Sequence, residues 1–415
     1  MRAYLRQVTD VERPRVVLPV TISHGINEFY AIVIPPIIPL LVADFGISYG
    51  QAGLLLTVFF IMYSLFQLPA GVVADWIGKQ RLLAVGLVGM TVGIAVAASA
   101  TSFETLVIAQ AIAGISGSTF HPAGLSIISD VETRGDEGKA MGIFGFGGTL
   151  GTLSAPLVVG GLAVVVGWRA ALLGAVVLGG TMTIAVIYLI RSTRDSPEAR
   201  PDGGVSVAER VRSARALVDL LATREIAVLC VLTFAMSMQH RAIQTFTTSF
   251  VTDDLGVSVT IGNLAFFTLL AGGSVASLWA GELADRMNRI HLGTIAALLT
   301  ALLVAATLAV DTIATVVPLV LIVGMLLVWF CVMGFVMYAS YPVKNALISE
   351  EADAAYSGSL FGVIQTGSSL GSASGPAVFG VLATEYGIAA AFPAIASVSL
   401  VLAMLFGLLG YLRRR

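Results

Sequence analysis

The chain has 415 residues, of which 57% are hydrophobic and only 12% are charged, and its formal net charge is −2. A composition this apolar excludes a soluble globular protein of this length and indicates a polytopic membrane protein. The two cysteines, Cys230 and Cys331, lie in apolar runs and predict neither a disulfide framework nor a metal site.

Apolar runs separated by charged or Gly- and Pro-rich breaks predict twelve membrane spans, which we number in chain order. Their predicted bounds are 16–43, 48–74, 82–100, 104–129, 138–165, 168–190, 224–252, 258–284, 291–310, 315–341, 356–384 and 387–411. The first run is too long and too rich in proline for the core of a cleavable signal peptide, so we expect it to remain as span 1. The predicted fold class is an all-α membrane protein with twelve transmembrane helices.

Span 1 carries a group of polar residues, Ser23-His24-Gly25-Ile26-Asn27-Glu28-Phe29, near the middle of its apolar run. An unpaired carboxylate at that depth is costly, and such residues usually face an internal cavity where they carry substrate or protons. His24 and Glu28 are four residues apart and share one helix face, with Asn27 beside them.

The distribution of basic residues predicts the orientation of the chain. Of the 23 lysines and arginines, 21 lie on one side, with Lys344 counted there at the end of span 10, and only Arg169 and Arg241 lie elsewhere. The positive-inside rule therefore places both termini and the central linker in the cytoplasm of a multi-pass protein of the plasma membrane.

The polar segment 191–223 separates six spans from six, which predicts an N-terminal bundle at 1–190 and a C-terminal bundle at 224–415. Within it, Ser206 and Glu209 form a capping-box pattern, followed by apolar residues interleaved with arginines. This pattern predicts either a basic amphipathic helix on the inner membrane surface or a flexible linker.

The two halves repeat each other. The stretch Asp44-Phe45-Gly46-Ile47-Ser48 recurs 210 residues later as Asp254-Leu255-Gly256-Val257-Ser258. After a shift to 220 residues, the matches are Pro122 with Pro342, Gly142 with Gly362, and Gly151, Ser154 and Pro156 with Gly371, Ser374 and Pro376. Six spans copied in one orientation imply two six-helix bundles related by an axis along the membrane normal, with a binding site between them.

The loops after spans 2 and 8 also match each other. They read Gly71-Val72-Val73-Ala74-Asp75-Trp76-Ile77-Gly78-Lys79-Gln80-Arg81 and Gly281-Glu282-Leu283-Ala284-Asp285-Arg286-Met287-Asn288-Arg289. Both resemble the loop motif of the major facilitator superfamily, G-x-L-A-D-R-x-G-R-K, although Trp76 stands where an arginine is usual. The resemblance covers essentially the whole chain. It implies transport by alternating access, with conformational gating by Gly71, Asp75, Gly78, Lys79, Arg81, Asp285 and Arg286.

Span 5 is similar to the antiporter motif of drug exporters in that superfamily. Gly142, Gly151 and Pro156 match the motif, whereas Ala155 replaces a glycine. Small residues there permit close helix packing, and Pro156 predicts a kink.

The polar group of span 1, together with Thr119-Phe120-His121-Pro122 in span 4, resembles the fosmidomycin-resistance efflux family. That resemblance implies proton-driven extrusion of a small antibiotic or related compound. Exporters often carry an arginine four residues before Gly114, where this chain has Gln110, so the usual coupling arginine is absent or moved.

In the architecture that the resemblance implies, spans 1, 4, 7 and 10 line the cavity, and their polar residues are the candidates. Glu28 and His24 are predicted to couple protons, because a partly desolvated carboxyl can load and release a proton near neutral pH. The alternative is that Glu28 is a structural acid satisfied by His24 or by Arg241. Substrate-binding candidates are Asn27, His121, His240, Arg241, Gln244, Tyr338 and Tyr341.

The leading functional hypothesis is proton-coupled efflux of a drug-like or small organic compound, with the proton gradient as the driving force and without a cofactor. Proton-linked uptake of a small organic anion held by Arg241 is the alternative within transport, and a non-transporting membrane sensor is the alternative of another class. The spans contain no His-Glu-x-x-His, Gly-x-Ser-x-Gly or paired Asp motif, so no enzyme activity is predicted. We expect a monomer whose partners are the lipid bilayer and a small-molecule substrate, not nucleic acid.

Overall fold

The computed structural model describes residues 13–131, 137–191, 223–309, 318–351 and 357–414. The secondary structure of these residues is helical, and eleven stretches among them are long and apolar enough to cross a membrane. The longer helices are Pro14–Ala31, Tyr49–Ile77, Lys79–Ala98, Phe103–Gly117, Phe120–Val131, Glu137–Ala155, Trp168–Arg191, Arg224–Ser249, Val259–Arg286, Arg289–Ala306, Leu319–Tyr338, Ser340–Glu351, Ser357–Tyr386 and Ile388–Leu412.

The predicted span 11 corresponds to the 30-residue helix Ser357–Tyr386, which is not among the eleven apolar stretches. At about 1.5 Å per residue such a helix is about 45 Å long, which exceeds the hydrocarbon thickness of a bilayer. Its run of glycine and serine residues lowers its hydropathy. The prediction of twelve spans is therefore approximately supported, whereas the predicted amphipathic helix in 191–223 lies outside the described residues.

Spans 4 and 10 are each divided into two helices at equivalent positions. The first helix ends at Gly117 in span 4 and at Tyr338 in span 10, and the second begins within a few residues. Pro122 and Pro342 follow each break, and a proline has no N–H for the carbonyl four residues earlier. Each break therefore places one candidate residue, His121 or Tyr341, in the first turn of a new helix.

Spans 1, 5 and 7 are also irregular. Span 1 contains a 3-10 turn at Pro35–Ile37 before the short helix Ile38–Phe45. In span 5 the α-helix gives way to a π-helical turn at Pro156–Gly160 and resumes at Gly161–Val166, so the irregularity predicted at Pro156 is present. Span 7 ends in a π-helical turn at Phe250–Asp254.

The chain divides into two units. The first comprises Met1–Leu41 and Val58–Asp202, and the second comprises Val42–Thr57 and Gly203–Arg415. The segment Val42–Thr57 joins the second unit through contacts with span 11, including a hydrogen bond of 2.7 Å from Thr57 Oγ1 to the carbonyl oxygen of Ala373.

The backbone follows the sequence repeat closely. Gly46 and Gly256, 210 residues apart, have φ angles of 63° and 66°. Gly167 and Gly387, 220 residues apart, have φ angles of 84° and 87°. These left-handed conformations favour glycine because it has no Cβ, so the matched glycines end their helices in the same way in both halves.

The glycines of spans 4, 5, 10 and 11 make the same close helix contacts in each unit. A Cβ on Gly151 would meet the backbone of Gly25, and one on Gly371 would meet the backbone of Phe234. In the same way, Gly114 packs on the carbonyl of Phe59, and its counterpart Gly334 packs on that of Leu269. Small residues at these positions let neighbouring helices approach to backbone contact.

Candidate functional site

In the first unit, three predicted site residues converge in a group that we call the histidine–carboxylate cluster: His24, Glu28 and His121. One nitrogen from each histidine and a carboxylate oxygen of Glu28 all lie within 4.8 Å of one another. His24 Nε2 is 3.7 Å from Glu28 Oε1, across one turn of span 1. The structure thus brings together the proton-coupling candidates and one substrate-binding candidate.

The imidazole of His24 is held in a fixed orientation. It stacks on Phe144 at a centroid distance of 4.0 Å and on Phe120 at 5.1 Å. Its Nδ1 donates a hydrogen bond of 2.9 Å to the carbonyl oxygen of Phe144. Gly148 leaves room for the ring, because a Cβ there would lie 2.5 Å from His24 Cε1.

These contacts determine which nitrogen of His24 faces the carboxylate. A carbonyl oxygen only accepts hydrogen bonds, so Nδ1 carries a hydrogen. The second nitrogen, Nε2, is therefore outside that hydrogen bond, and it lies on the side of Glu28.

His121 is oriented by the hydroxyl of Tyr63, which lies 2.7 Å from His121 Nδ1. The rings of His121 and His24 meet edge to face with centroids 5.9 Å apart. The exposed fraction of the side chain is 12% for His24 and 29% for Glu28. The His24 side of the cluster is therefore shielded from solvent, and the Glu28 carboxylate is more exposed to it.

The other polar candidate of span 1, Asn27, lies on a different part of the helix surface. Its side chain is 1% exposed, and its amide nitrogen is 3.3 Å from both Met90 Sδ and the carbonyl oxygen of Gly117. In this position Asn27 links spans 1, 3 and 4 within the first unit.

In the second unit, a different set of residues forms what we call the histidine–tyrosine cluster: His240, Gln244, Tyr338, Tyr341 and Lys344. His240 Nδ1 donates a 2.7 Å hydrogen bond to the carbonyl oxygen of Met236. The His240 ring meets the rings of Tyr338 and Tyr341 edge to face, at centroid distances of 5.2 and 4.7 Å. Gln244 donates a hydrogen bond to the hydroxyl of Tyr338.

Lys344 corrects one expectation from the sequence, which placed it at the cytoplasmic end of span 10 and left Arg241 as the only basic residue deep in a span. The side chain of Lys344 is only 7% exposed, and its ammonium lies 4.9 Å from the ring centroid of Tyr341. The apolar stretch continues to Glu350 after the break at Ala339, so the residue belongs to the span.

Comparison with known proteins identifies the family. The model of the family described as Major Facilitator Superfamily matches residues 20–327 and 229–415. The chain belongs to the major facilitator superfamily. Its fold and relatives are those of multi-pass membrane transporters, which are not enzymes.

The relatives of this major facilitator include both exporters and other transporters. It is 24% identical over 273 residues to the fosmidomycin resistance protein of Escherichia coli (strain K12), a match that covers 66% of each chain. It is 28% identical over 149 residues to a probable L-galactonate transporter of the same organism, covering 36% of this chain and 33% of the relative. With the multidrug efflux pump LfrA of Mycolicibacterium smegmatis it shares 30% identity over 171 residues, or 41% and 34% of the two chains.

Solved structures show the same fold across nearly the whole length. A bacterial homolog of the human lysosomal transporter Spinster superposes with a TM-score of 0.80 at 17% identity, covering 96% of both chains. A mutant of the nucleoside transporter NupG superposes with a TM-score of 0.76 at 13% identity, covering 95% of this chain and 99% of that one.

The gating residues predicted from the superfamily motif lie at the ends of spans 2 and 8. Gly71 and Asp75 are in helix Tyr49–Ile77, and Asp285 and Arg286 end helix Val259–Arg286. The exposed Arg286 pairs with Glu282 at 2.5 Å. Gly78 has a φ of 91° and precedes the helix that begins with Lys79 and continues through the exposed Arg81.

Arg241 and Glu28 lie in different units, and the pairing predicted between them stays a prediction. The Arg241 side chain is half-buried, and its carbonyl oxygen accepts a 2.7 Å hydrogen bond from Thr245 Oγ1.

Sequence reasoning missed four residues that shape the two clusters: Tyr63, Phe144, Gly148 and Lys344. The first three are ordinary residues of apolar spans, and their spacing contains no signal for contact with His24 or His121. Lys344 did carry a signal, because Pro342 is the repeat counterpart of Pro122 and helix continues beyond that proline in both halves.

Proposed function

We propose that this protein is a proton-coupled exporter of a small amphipathic compound with a single negative charge. The observation that carries the proposal is the position of His24 Nε2, 3.7 Å from Glu28 Oε1, with Nδ1 already bonded to a carbonyl. His24 and Glu28 together are the proton-coupling pair, and His121 supports them.

The geometry favours a shared proton between the two groups. When His24 Nε2 carries a proton, the imidazolium pairs with the carboxylate of Glu28. When both groups are deprotonated, a lone pair on nitrogen faces a carboxylate, and the two repel. A pair of this kind takes up a proton from water on the side to which it is open and releases one to water on the other side after the conformation changes. Such an exchange couples a proton to a conformational cycle.

The histidine–tyrosine cluster supports a substrate with an apolar body and one anionic group. The Tyr338 and Tyr341 rings are stacked with centroids 5.5 Å apart and provide an aromatic surface. Lys344 supplies a positive charge in surroundings of low dielectric, where its attraction for an anion is stronger than in water. Arg241, half-buried in the same unit, adds a second positive charge.

Export is supported by the names of two relatives, a fosmidomycin resistance protein and a multidrug efflux pump. The relatives are bacterial proteins, and we include in the same proposal the predicted orientation, with both termini in the cytoplasm. Fosmidomycin is the first probe, because the fosmidomycin resistance protein matches 66% of this chain and the multidrug efflux pump matches 41%.

The test uses an exporter-deficient bacterial strain that produces this protein, the Glu28→Gln variant or the Glu104→Gln variant. Glu104 is a matched control, because it is a fully exposed carboxylate of the same unit at the start of span 4. We expect the parent and Glu104→Gln to protect growth on fosmidomycin or on another compound of a substrate panel, and Glu28→Gln to lose protection. In proteoliposomes, full transport by Glu28→Gln under a pH gradient would show that another group carries the proton.

Uptake of a small organic anion is the second candidate, and the relative named as a probable L-galactonate transporter favours it. Measurements in intact cells distinguish export from uptake. An exporter lowers the accumulation of labelled compound in energised cells, whereas an importer raises it. Collapse of the proton gradient abolishes either effect.

A further inference from the structure

We infer that the histidine–carboxylate cluster is also a binding site for a divalent transition-metal ion such as Zn²⁺. Two imidazole nitrogens and one carboxylate oxygen, from His24, His121 and Glu28, lie within 4.8 Å of one another. Two histidines and one glutamate are a ligand set that zinc uses in proteins when a fourth position stays open. Imidazole nitrogen favours zinc and its neighbours over Mg²⁺, which prefers oxygen ligands.

The hydrogen bonds around the histidines are those expected of metal ligands. His24 Nδ1 donates to the carbonyl oxygen of Phe144, and His121 Nδ1 is bonded to the hydroxyl of Tyr63. Nε2 of each ring lies outside these hydrogen bonds, and at His121 metal binding requires the tautomer in which Nδ1 donates to the Tyr63 hydroxyl. Outer partners of this kind orient the ring and increase the basicity of the ligating nitrogen.

The spacing along the chain also suits a metal. His24 and Glu28 are one helical turn apart, the separation at which two side chains of one helix reach a common ion. His121 approaches from span 4, so the site links two helices. With bonds of about 2.0–2.1 Å, ligand atoms of a tetrahedral site are about 3.3 Å apart. The separations between the ligand atoms must therefore shrink by up to about 1.5 Å, which rotation of the partly exposed Glu28 carboxylate helps to provide.

The charge requirement of the site favours a cation. A neutral His24 directs the lone pair of Nε2 toward Glu28, and a divalent ion satisfies both groups at once. Metal and proton therefore compete, because the ligands must be deprotonated to bind metal. The inference uses the same residues as the proposed proton site but depends only on their geometry, and its test involves neither a gradient nor a substrate.

The experiment is a calorimetric titration of ZnCl₂ into the detergent-purified full chain, with MgCl₂ as the ion control. We expect one zinc site per chain and no Mg²⁺ binding. Glu28→Gln, His24→Gln and His121→Gln should each weaken zinc binding at least tenfold. Tyr63→Phe removes the hydroxyl beside His121 Nδ1 and should weaken binding about tenfold, as loss of an outer-shell partner does.

His291→Gln is the matched control, since it removes an exposed histidine outside both clusters. It should bind zinc as the parent does. Thermal unfolding shows that each variant is folded. A parent chain that takes up no zinc overturns the inference, as does zinc affinity that falls in His291→Gln but not in the cluster variants. Absorption of the Co²⁺-loaded parent is a second readout, in which only octahedral bands would also count against the site.

Discussion

In the first unit the ring of His24 packs against Phe120 and Phe144 with a carboxylate one turn away, whereas the matching place in the second unit has neither a histidine nor a carboxylate. The positions that correspond to His24, Glu28 and His121 are Phe234, Met238 and Tyr341. Gly151 is retained as Gly371, and both pack on the backbone of the neighbouring helix, whereas Gly148, which borders the His24 ring, is replaced by Ser368. The repeat has thus preserved helix packing while the chemistry of the two units has diverged.

The two units also differ in the sign of the charge that their polar clusters carry. The first unit contributes the carboxylate of Glu28, and the second contributes the ammonium of Lys344 beneath Tyr341. A transporter that binds a proton and an anion needs both signs, and this arrangement gives one to each unit. The proposed function therefore assigns proton coupling to the first unit and substrate recognition to the second, and the predictions below test whether the two are separable.

The largest effect is expected from moving the carboxylate to the second unit. The double variant Glu28→Met/Met238→Glu keeps the number of acids but places the new one beside Phe234, which cannot share a proton. We expect proton-driven transport in proteoliposomes to fall to the level of empty vesicles. Glu28→Asp, which keeps the carboxylate beside His24, should retain part of the activity. Transport by the double variant at the parent rate would show that the two units are interchangeable.

The retained packing should give matched losses of stability. A Cβ on Gly151 or Gly371 would enter the backbone of the neighbouring helix, so Gly151→Ala and Gly371→Ala should each destabilise the protein by about 1–3 kcal/mol. Gly142→Ala and Gly324→Ala are the controls, because a Cβ at either position meets nothing within 4 Å. Thermal unfolding in detergent measures all four. A clear difference between the Gly151 and Gly371 variants would contradict equal packing in the two units.

The charge of the second unit should affect substrate affinity more than turnover. Lys344→Met keeps the apolar stem but removes the ammonium, so we expect about tenfold weaker substrate binding, or about 1.4 kcal/mol. The maximum rate should change little, because the proton pair in the first unit is intact. Lys344→Arg should restore most of the affinity. Loss of proton flux with unchanged affinity would assign Lys344 to coupling instead.

The smallest effect concerns the loops after spans 2 and 8, where Gly78 in one corresponds to Asn288 in the other. The Asn288 side chain accepts a 3.1 Å hydrogen bond from the backbone N–H of His291 and caps the helix, whereas Gly78 offers no such cap. Asn288→Ala should cost about 1 kcal/mol of stability, and Asn288→Gly, which copies the first loop, only a few tenths of that. Equal losses for the two variants in thermal unfolding would mean that the cap does not stabilise the loop.

The sequence was sufficient to predict the spans because hydropathy is a sum over a window of about twenty residues. Span 6, predicted at 168–190, is found at Trp168–Ile190, and most other bounds agree within a few residues. The end of span 10 was predicted too early, at residue 341, because the window there includes Lys344 and Asn345. The helix Ser340–Glu351 continues through Lys344, whose ammonium lies over the ring of Tyr341 one turn earlier.

The candidate site was predicted less completely. Spacing alone placed His24 and Glu28 on one face of a helix, and the resemblance singled out His121. The direction of Asn27 away from that group depends on the rotation of span 1 against spans 3 and 4, which periodicity does not specify. The pocket for the His24 ring depends on Gly148 and Phe144, which come from a span more than one hundred residues away.

The sequence by itself determined the membrane class, the spans, the repeat and the family motifs, because these follow from composition and from order along the chain. Only the tertiary structure decided which nitrogen of His24 faces Glu28 and that Tyr63 holds His121. Those facts depend on helix rotation and on the helix break before Pro122, which set side-chain directions over distances that local patterns do not encode.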